Sequence, residues 1–364
     1  MARTLKSDKP LFWVTLLLVG ASVVMVYGAS AGTVLTKQIM WVILGLAVLL
    51  VGMRVDYHEF RRPAVIWSIL GVTTLALIAV YFFPFRNGTQ RWIGWRTYTV
   101  QPSELAKLAA LFFTAALLDR RMHRVNDGQY ALLPIGIVTA VLAALIVKEP
   151  DFGTAAVLVM VVTSIVFAAG LSFRYLAGAA LVMLPAAMIL ILTSGYRSKR
   201  LTAFFDPWSD RFGYGYQAVQ SFIAVGSGGL FGRGLMAGLE QNGFLPERHN
   251  DFIYAAVGEG LGLVGTTAIA ICFALIAWRG FRIALVAADR FGSLLAIGLT
   301  VMVAGQALVN MSMVVGLLPT KGIPLPFLSN GGSSLLVNMA AIAILLNISQ
   351  QSSAVAAGSL EARG

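Results

Sequence analysis

Residues 130–171 read YALLPIGIVTAVLAALIVKEPDFGTAAVLVMVVTSIVFAAGL. Two apolar runs are separated only by the polar turn at 148–151. A helix needs about 20 mostly apolar residues to cross the hydrocarbon core of a bilayer, and each run has about that length. The stretch therefore predicts two antiparallel transmembrane helices joined by a tight turn.

Apolar runs of this kind recur along the whole chain of 364 residues. The composition is 58% hydrophobic and 12% charged, with a mean hydropathy of +0.81, whereas soluble domains carry about 25% charged residues. A soluble fold is therefore excluded, and we predict an all-α integral membrane protein with about ten transmembrane helices. The predicted spans cover residues 11–30, 36–53, 63–83, 103–118, 130–148, 152–171, 175–194, 252–278, 292–318 and 332–349.

The basic residues predict the orientation of these spans. Arginines collect after the second, fourth and eighth spans, and short cytoplasmic loops are enriched in Arg and Lys. Both termini are therefore predicted to be cytoplasmic, as a segment 1–10 and a tail 350–364 around a membrane domain 11–349. The net charge of +11 is attributed to orientation and anionic lipid rather than to nucleic acid.

A long loop, 195–251, is predicted on the outward side between the seventh and eighth spans. Its residues 212–238 are mostly apolar and rich in glycine, so we expect them to pack on the membrane domain or to re-enter the membrane. Irregular backbone at that depth is tolerated only where protein covers it or where it lines a wet cavity.

The fourth span begins with the polar sequence QPSELAK at 101–107. Ser103 is predicted to cap the helix, with Glu104 in its first turn. An intramembrane ammonium is costly unless it is paired, so Lys107 is predicted to pair with Glu104, three residues away on the same face. A plain alternative is a capped helix in an interfacial aromatic belt, which does not account for Lys107.

Further polar clusters lie near the predicted outer ends of other spans. The turn after the fifth span carries Lys148 and the two carboxylates Glu149 and Asp151. The carboxylates are interpreted as helix caps and dipole partners, or as a metal site or orienters of nearby cations. Beyond the seventh span, Arg200 and Arg211 either reach lipid headgroups or hold an anionic diphosphate, since arginine presents a planar fork of donors to phosphate oxygens.

The eighth span enters the membrane at Asp251, which is either an N-cap or a proton acceptor. His249 flanks this residue, and Glu259 lies deeper in the same span. Before the tenth span, residues 318–334 are rich in Pro and Gly and present Lys321 outward. These glycines permit a close approach of the backbone.

Six motifs, in order along the chain, resemble those of the SEDS family (shape, elongation, division and sporulation) over about residues 11–349. The TKG sequence at 320–322 is more similar to the division branch of this family than to its elongation branch. Asn250 and Asn330 depart from the usual threonine and tyrosine of the family. The motifs are QRWI with QPSELAK at 90–107, EPDFGTA at 149–155, FFDPWSDRFGYGYQAVQS at 204–221, IAVGSGGLFGRG at 223–234, FLPERHNDFIYAAVGEGLG at 244–262 and LPTKGIPLPFLSNGGSS at 318–334.

The resemblance implies a peptidoglycan glycosyltransferase of the bacterial cytoplasmic membrane that polymerises lipid II at the division septum, on the outer face. It also implies a divalent cation, Mg or Mn, with unknown ligands. The implied partners are a class B penicillin-binding transpeptidase of the FtsI type and other division proteins. An elongation-type polymerase is kept as an alternative.

Asp251 is implied as the catalytic carboxylate. The other candidate residues lie in the same motifs and polar clusters. Substrate binding is assigned to Arg91, Gln101, Glu104, Lys107, Arg200, Arg211, Lys321 and Ser333, and supporting roles to Lys148, Glu149, Asp151, His249 and Glu259.

Two other function classes compete with this one. A flippase of the same lipid-linked precursor would need polar residues along its whole crossing path, whereas the ionisable groups here cluster near the predicted outer ends. A noncatalytic scaffold explains the spans but not the polar clusters. The sequence therefore favours chemistry at the outer surface.

Overall fold

The structure is a computed structural model that describes residues 7–30, 34–84, 90–95, 98–122, 125–193, 195–234 and 250–361. Within these residues the fold consists of helices and one small hairpin, whose strands β1 (Ile93–Trp95) and β2 (Tyr98–Val100) pair antiparallel with Ile93 opposite Val100. The helices are α1 Lys9–Ser30, α2 Leu35–Gly52, α3 Pro63–Ala79, α4 Pro102–Arg121, α5 Leu133–Lys148, α6 Phe152–Ala168, α7 Phe173–Leu192, α8 Gly195–Phe205, α9 Tyr216–Ser227, α10 Ile253–Leu285, α11 Arg290–Thr300, α12 Gln306–Val314 and α13 Gly332–Glu361.

A helix occupies each of the ten predicted spans. Seven stretches of the described chain are long and apolar enough to cross a membrane by length and composition, and two shorter apolar helices occupy 152–168 and 173–186. The tenth is α4, which has 20 residues but carries charged side chains at both ends. The all-α membrane architecture is thus confirmed, while the exact number of crossings and their orientation stay predictions.

The core forms around α4, which packs against α3, α6 and α11. Most of its side chains are buried, on all sides of the helix, as expected for a helix at the centre of a bundle. Around this core, α13 packs on α2 and α10 packs on α1, and these two pairs of helices also contact each other. Because α4 lies at the centre of the bundle, the polar residues of its first two turns lie inside the protein.

The helix α10 is broken at Gly262, whose φ of 66° and ψ of −159° are not helical. The segment 228–234 packs on this break and supplies hydrogen bonds to the backbone groups that the break frees, as predicted for part of the glycine-rich loop. Residues 235–249 of that loop lie outside the described residues. The bonds run from the amides of Arg233 and Gly234 to the carbonyls of Glu259 and Gly260, and from the amides of Leu263 and Val264 to the carbonyls of Gly229 and Leu230, at 2.9 to 3.1 Å.

One local prediction needs correction. The helix α4 begins at Pro102, so Gln101 rather than Ser103 is its N-cap residue, and no side chain caps it. Proline favours the first helical position because its φ is already helical and it has no N–H to satisfy. At the other end of the chain, α13 runs on to Glu361, so the predicted tail begins as a continuation of the helix.

Candidate active site

The site begins at Arg91, which immediately precedes the hairpin. Its guanidinium donates from Nε to the carbonyl of Glu149 at 3.1 Å and from Nη2 to the carbonyl of Pro150 at 2.6 Å. The remaining terminal nitrogen, Nη1, lies 3.8 Å from the position that a Cβ would take on Gly322. One arginine therefore joins the α5–α6 turn to the loop before α13.

Asp251 reaches the same point from the opposite side. Its Oδ2 lies 3.1 Å from the Cβ position of Gly322. The helix α10 begins at Ile253 with Phe252 as its N-cap residue, so Asp251 is not the N-cap residue. Its carboxylate shares the space above Gly322 with Arg91.

The α5–α6 turn packs directly on the loop that carries Gly322. A Cβ on Gly153 would lie 2.5 Å from the side chain of Ile323, so the glycine permits the contact. Beside it, the ammonium of Lys321 lies 5.2 Å from the ring centroid of Phe152. Residues of the first, second and sixth motifs thus meet Asp251, which belongs to the fifth motif, at one place.

Gln101, Asp151 and Ser333 connect the elements around this place. Gln101 donates from Nε2 to Asp151 at 2.9 Å, and its backbone amide donates to Ser333 Oγ at 3.0 Å. Asp151 also caps α6 by accepting from the amide of Thr154 at 3.2 Å. The structure therefore confirms the capping interpretation of Asp151. Beside it, the hydrogen bond between Gln101 and Ser333 connects the start of α4 to α13.

Lys107 and Glu104 form an ion pair inside the protein, each with 1% of its side chain exposed. The ammonium donates to Glu104 Oε1 at 3.0 Å and to Gln306 Oε1 at 2.6 Å. Gln306 in turn donates to the carbonyl of Pro324 at 2.9 Å. The predicted pairing is present, but this burial favours support of the 323–325 loop over direct contact with a substrate.

Glu149 has an unusual environment for a carboxylate. It is 0% exposed, and among the described residues neither of its carboxylate oxygens has a hydrogen-bond partner. Burial, together with the charge of Asp151, raises its pKa to about 8, against a smaller lowering by Arg91. A neutral side chain at pH 7 follows from this environment.

The remaining candidates lie further out or elsewhere. Arg200 lines a small cavity between α8, α9 and the chain at 313–320, and Arg211 is exposed with its guanidinium 4.9 Å from the Phe212 ring. Lys148 is exposed and contacts the Tyr81 ring at 5.0 Å, whereas Glu259 is buried in α10. His249 lies outside the described residues.

Three polar residues that the sequence analysis did not single out contact the site loops. Asn310 donates from Nδ2 to the carbonyl of Asp251 at 2.8 Å, and Ser329 donates from Oγ to the carbonyl of Asn250 at 2.6 Å. Gln306 is the third. Gln306 and Asn310 carry side-chain amides one helical turn apart in an apolar span. Buried polar side chains are costly in a membrane, so this pair in the sequence could have indicated a functional or structural contact.

The described residues do not form a protein metal site. Among them, no three His, Cys, Asp or Glu side chains lie close enough together to hold a metal ion. Mg²⁺ is often held by only one or two carboxylates together with substrate phosphates and water. The divalent cation therefore stays a prediction from the family resemblance.

Sequence comparison gives relatives over nearly the whole chain. The profile of the cell cycle protein family of FtsW, RodA and SpoVE matches residues 9–354. A probable peptidoglycan glycosyltransferase FtsW of Geobacter metallireducens is 41% identical over 341 residues, which are 90% of each chain. Stage V sporulation protein E of Bacillus subtilis is 37% identical over 361 residues, 95% of this chain and 97% of that one.

Solved structures share the fold. A chain from a peptidoglycan synthase complex that coordinates polymerization and crosslinking superposes with a TM-score of 0.81 at 26% identity, covering 96% of this chain and 99% of that one. The rod shape determining protein RodA of Thermus thermophilus superposes with a TM-score of 0.71 at 26% identity, covering 96% and 98%.

Proposed function

Because the chain belongs to the FtsW, RodA and SpoVE family of cell cycle proteins, we propose that it is a peptidoglycan glycosyltransferase that polymerises lipid II at the division septum. Its apolar helices and its relatives make it a multi-pass membrane protein of bacteria. The observation that carries the proposal is the convergence of Asp251 and Arg91 over Gly322.

The chemistry follows from the leaving group. Glycosidases use two carboxylates because a poor alkoxide leaving group must be protonated, whereas a lipid diphosphate leaves as a stabilised anion. One general base, together with cationic side chains that bind the diphosphate, is therefore sufficient for the transfer. Asp251 takes the proton of the acceptor sugar 4-hydroxyl while that oxygen bonds to the anomeric carbon of the donor, and the bond from that carbon to the diphosphate breaks with inversion.

Arg91 and Lys321 are the cations best placed to hold the departing diphosphate. Arg91 is fixed by two backbone carbonyls, and a preorganised donor stabilises developing charge without reorganisation during the reaction. Lys321 adjoins Gly322 in the chain. Arg200 and Arg211 are assigned to contacts with lipid headgroups or with the diphosphate of the substrate.

A partner enzyme is part of the proposal. The solved relative in a peptidoglycan synthase complex supports a transpeptidase partner, and the resemblance to the division branch supports one of the class B, FtsI-like type. The active site is proposed on the outer face of the membrane. A divalent cation is proposed only as a companion of the substrate diphosphate.

The test is glycan synthesis by the purified chain with its class B transpeptidase, lipid II and Mg²⁺, read as polymer on a gel. Asp251→Asn should lower the rate by about a hundredfold to ten-thousandfold, because an amide cannot accept the hydroxyl proton. Since Phe252 and not Asp251 is the N-cap residue of α10, and asparagine serves a helix start about as well as aspartate, the variant should keep its melting temperature.

Normal polymer from folded Asp251→Asn would falsify the assignment of the base. An unmodified complex that makes no polymer, but moves labelled lipid II between the leaflets of vesicles, would replace the proposed enzyme by a flippase.

A further inference from the structure

Asp251 lies in a short irregular segment, and its position depends on how the backbone there is held. Asp251 and Phe252 form a turn before α10 begins at Ile253, with Phe252 as its N-cap residue. Asp251 thus lies outside the regular part of the helix. The contacts that the backbone of residues 250 and 251 makes with other elements therefore contribute to its position.

Two side chains from other elements bind these two consecutive carbonyls. Asn310 on α12 donates to the carbonyl of Asp251 at 2.8 Å and Ser329 donates to the carbonyl of Asn250 at 2.6 Å. Asn310 is 0% exposed and Ser329 is 4% exposed. Buried hydrogen bonds of this kind leave a costly unpaired carbonyl when the donor is removed.

Both side chains also bind the loop that carries the other half of the site. Nδ2 of Asn310 donates a second bond, at 2.7 Å, to the carbonyl of Ile323, and Ser329 Oγ accepts from the amide of Leu325 at 2.8 Å. Because both partners of Asn310 are carbonyl oxygens, only the amide nitrogen can face them. Each residue is thus a brace between the segment 250–251 and the loop 323–325.

We propose that Asn310 and Ser329 are positioning residues that set the distance between the Asp251 carboxylate and the Gly322 backbone, where Arg91 also lies. This inference rests on the proposed function, since it takes Asp251 as the base. Neither residue touches the reacting atoms. Their effect passes through the backbone, and a displacement of about 1 Å in a catalytic group can cost about a hundredfold in rate.

The structure offers a matched control for Asn310. Asn338 on α13 is the same residue type, is also 0% exposed, and likewise leaves its Oδ1 without a partner among the described residues. Its Nδ2, however, donates within its own helix, to the carbonyl of Ser334 at 2.7 Å. Asn310→Ala and Asn338→Ala therefore remove comparable side chains, of which only one braces the site.

The experiment measures kcat and KM for lipid II polymerisation by the complex with its transpeptidase, alongside the melting temperature of each variant. Asn310→Ala and Ser329→Ala should lower kcat by about tenfold to a hundredfold with KM little changed. Ser329→Thr keeps the hydroxyl donor and should recover most of the rate, whereas Asn338→Ala should keep the parental kcat.

Parental kcat in folded Ser329→Ala and Asn310→Ala would overturn the inference while leaving the proposed function intact. Equal losses of kcat in Asn338→Ala would also overturn it, because the effect would then reflect general destabilisation. If Asn310→Ala does not fold, Ser329→Ala against Ser329→Thr decides the question. Failure of the unmodified complex to polymerise would overturn both proposals together.

Discussion

Lys107 on α4 donates a 2.6 Å hydrogen bond to the side-chain oxygen of Gln306 on α12. This bond connects the central helix of the bundle to the loop before α13, because Gln306 also binds the carbonyl of Pro324. The lysine is therefore part of the framework behind the site. Its charge is balanced inside the protein by Glu104.

The first prediction concerns this buried pair. Lys107→Met should lower the melting temperature in detergent, because it leaves Glu104 charged and buried, a loss worth about 3–5 kcal/mol. The double variant Glu104→Gln with Lys107→Met should recover most of the stability, since no unpaired charge remains. A single variant that melts with the parent would show that the pair contributes nothing to the fold.

The second prediction uses the pKa of Glu149, raised from 4.5 to about 8 by burial. The protonated form is favoured in the folded protein, so its contribution to stability is complete below pH 4.5 and is lost as the pH rises through about 8. Glu149→Gln should match the parent near pH 5 and melt at a higher temperature near pH 9.

A control for this pH dependence is Glu59→Gln, since Glu59 is a partly exposed surface carboxylate paired with Arg62 at 2.7 Å. Its melting curve should follow that of the parent at every pH. Parallel pH dependence of Glu149→Gln and the parent would mean that Glu149 is ionised in the folded protein at neutral pH.

The third prediction concerns the space above Gly322. Gly322→Ala should fold normally, but its methyl group would lie 3.1 Å from Asp251 Oδ2 and should displace the carboxylate, lowering polymerisation by about tenfold. Gly331→Ala is the matched control in the same loop, because its nearest neighbour would be Ser334 Cβ at an ordinary 3.6 Å. Equal polymerisation rates in the two variants would show that the space at Gly322 does not affect the reaction.

The fourth prediction concerns the contact of the segment 228–234 with α10. A Cβ on Gly228 would overlap the carbonyl oxygen of Gly258, so Gly228→Ala should destabilise the fold by about 1–3 kcal/mol. For Gly226, two residues earlier, no described atom outside its own helix backbone lies within 4 Å of the Cβ position, and Gly226→Ala should be neutral or stabilising. Thermal unfolding of both variants provides the comparison, and a stable Gly228→Ala would show that this contact can open.

The fifth prediction tests orientation. In a Cys272→Ser background, a cysteine at the exposed position Ser209 should react with a membrane-impermeant maleimide added to intact cells. A cysteine at the exposed position Ala288 should react only after the cytoplasmic side is opened. The opposite pattern would invert the predicted orientation and move the site to the cytoplasmic face.

The sequence by itself determined the helical architecture and the family. The length of an apolar run is a local property of the sequence. A run of about 20 apolar residues predicts a transmembrane helix without knowledge of which other helices it contacts. The pairing of Glu104 with Lys107 was likewise predictable, because residues three apart share one face of a helix. The motifs around Asp251, Glu149 and Lys321 indicated which polar groups to expect near one another.

Only the tertiary structure decided how these groups are held. The contacts of Lys107 with Gln306 and of Asn310 with Asp251 join residues 199 and 59 positions apart, and hydropathy does not say which faces of distant helices meet. The first residues of α4 and α10, Pro102 and Ile253, corrected the capping assignments of Ser103 and Asp251. Where a helix begins depends on backbone conformation rather than on residue preference alone. Packing of the bundle placed Asp251, Arg91 and Gly322 together, because close contacts between helices and loops are satisfied only in the assembled fold.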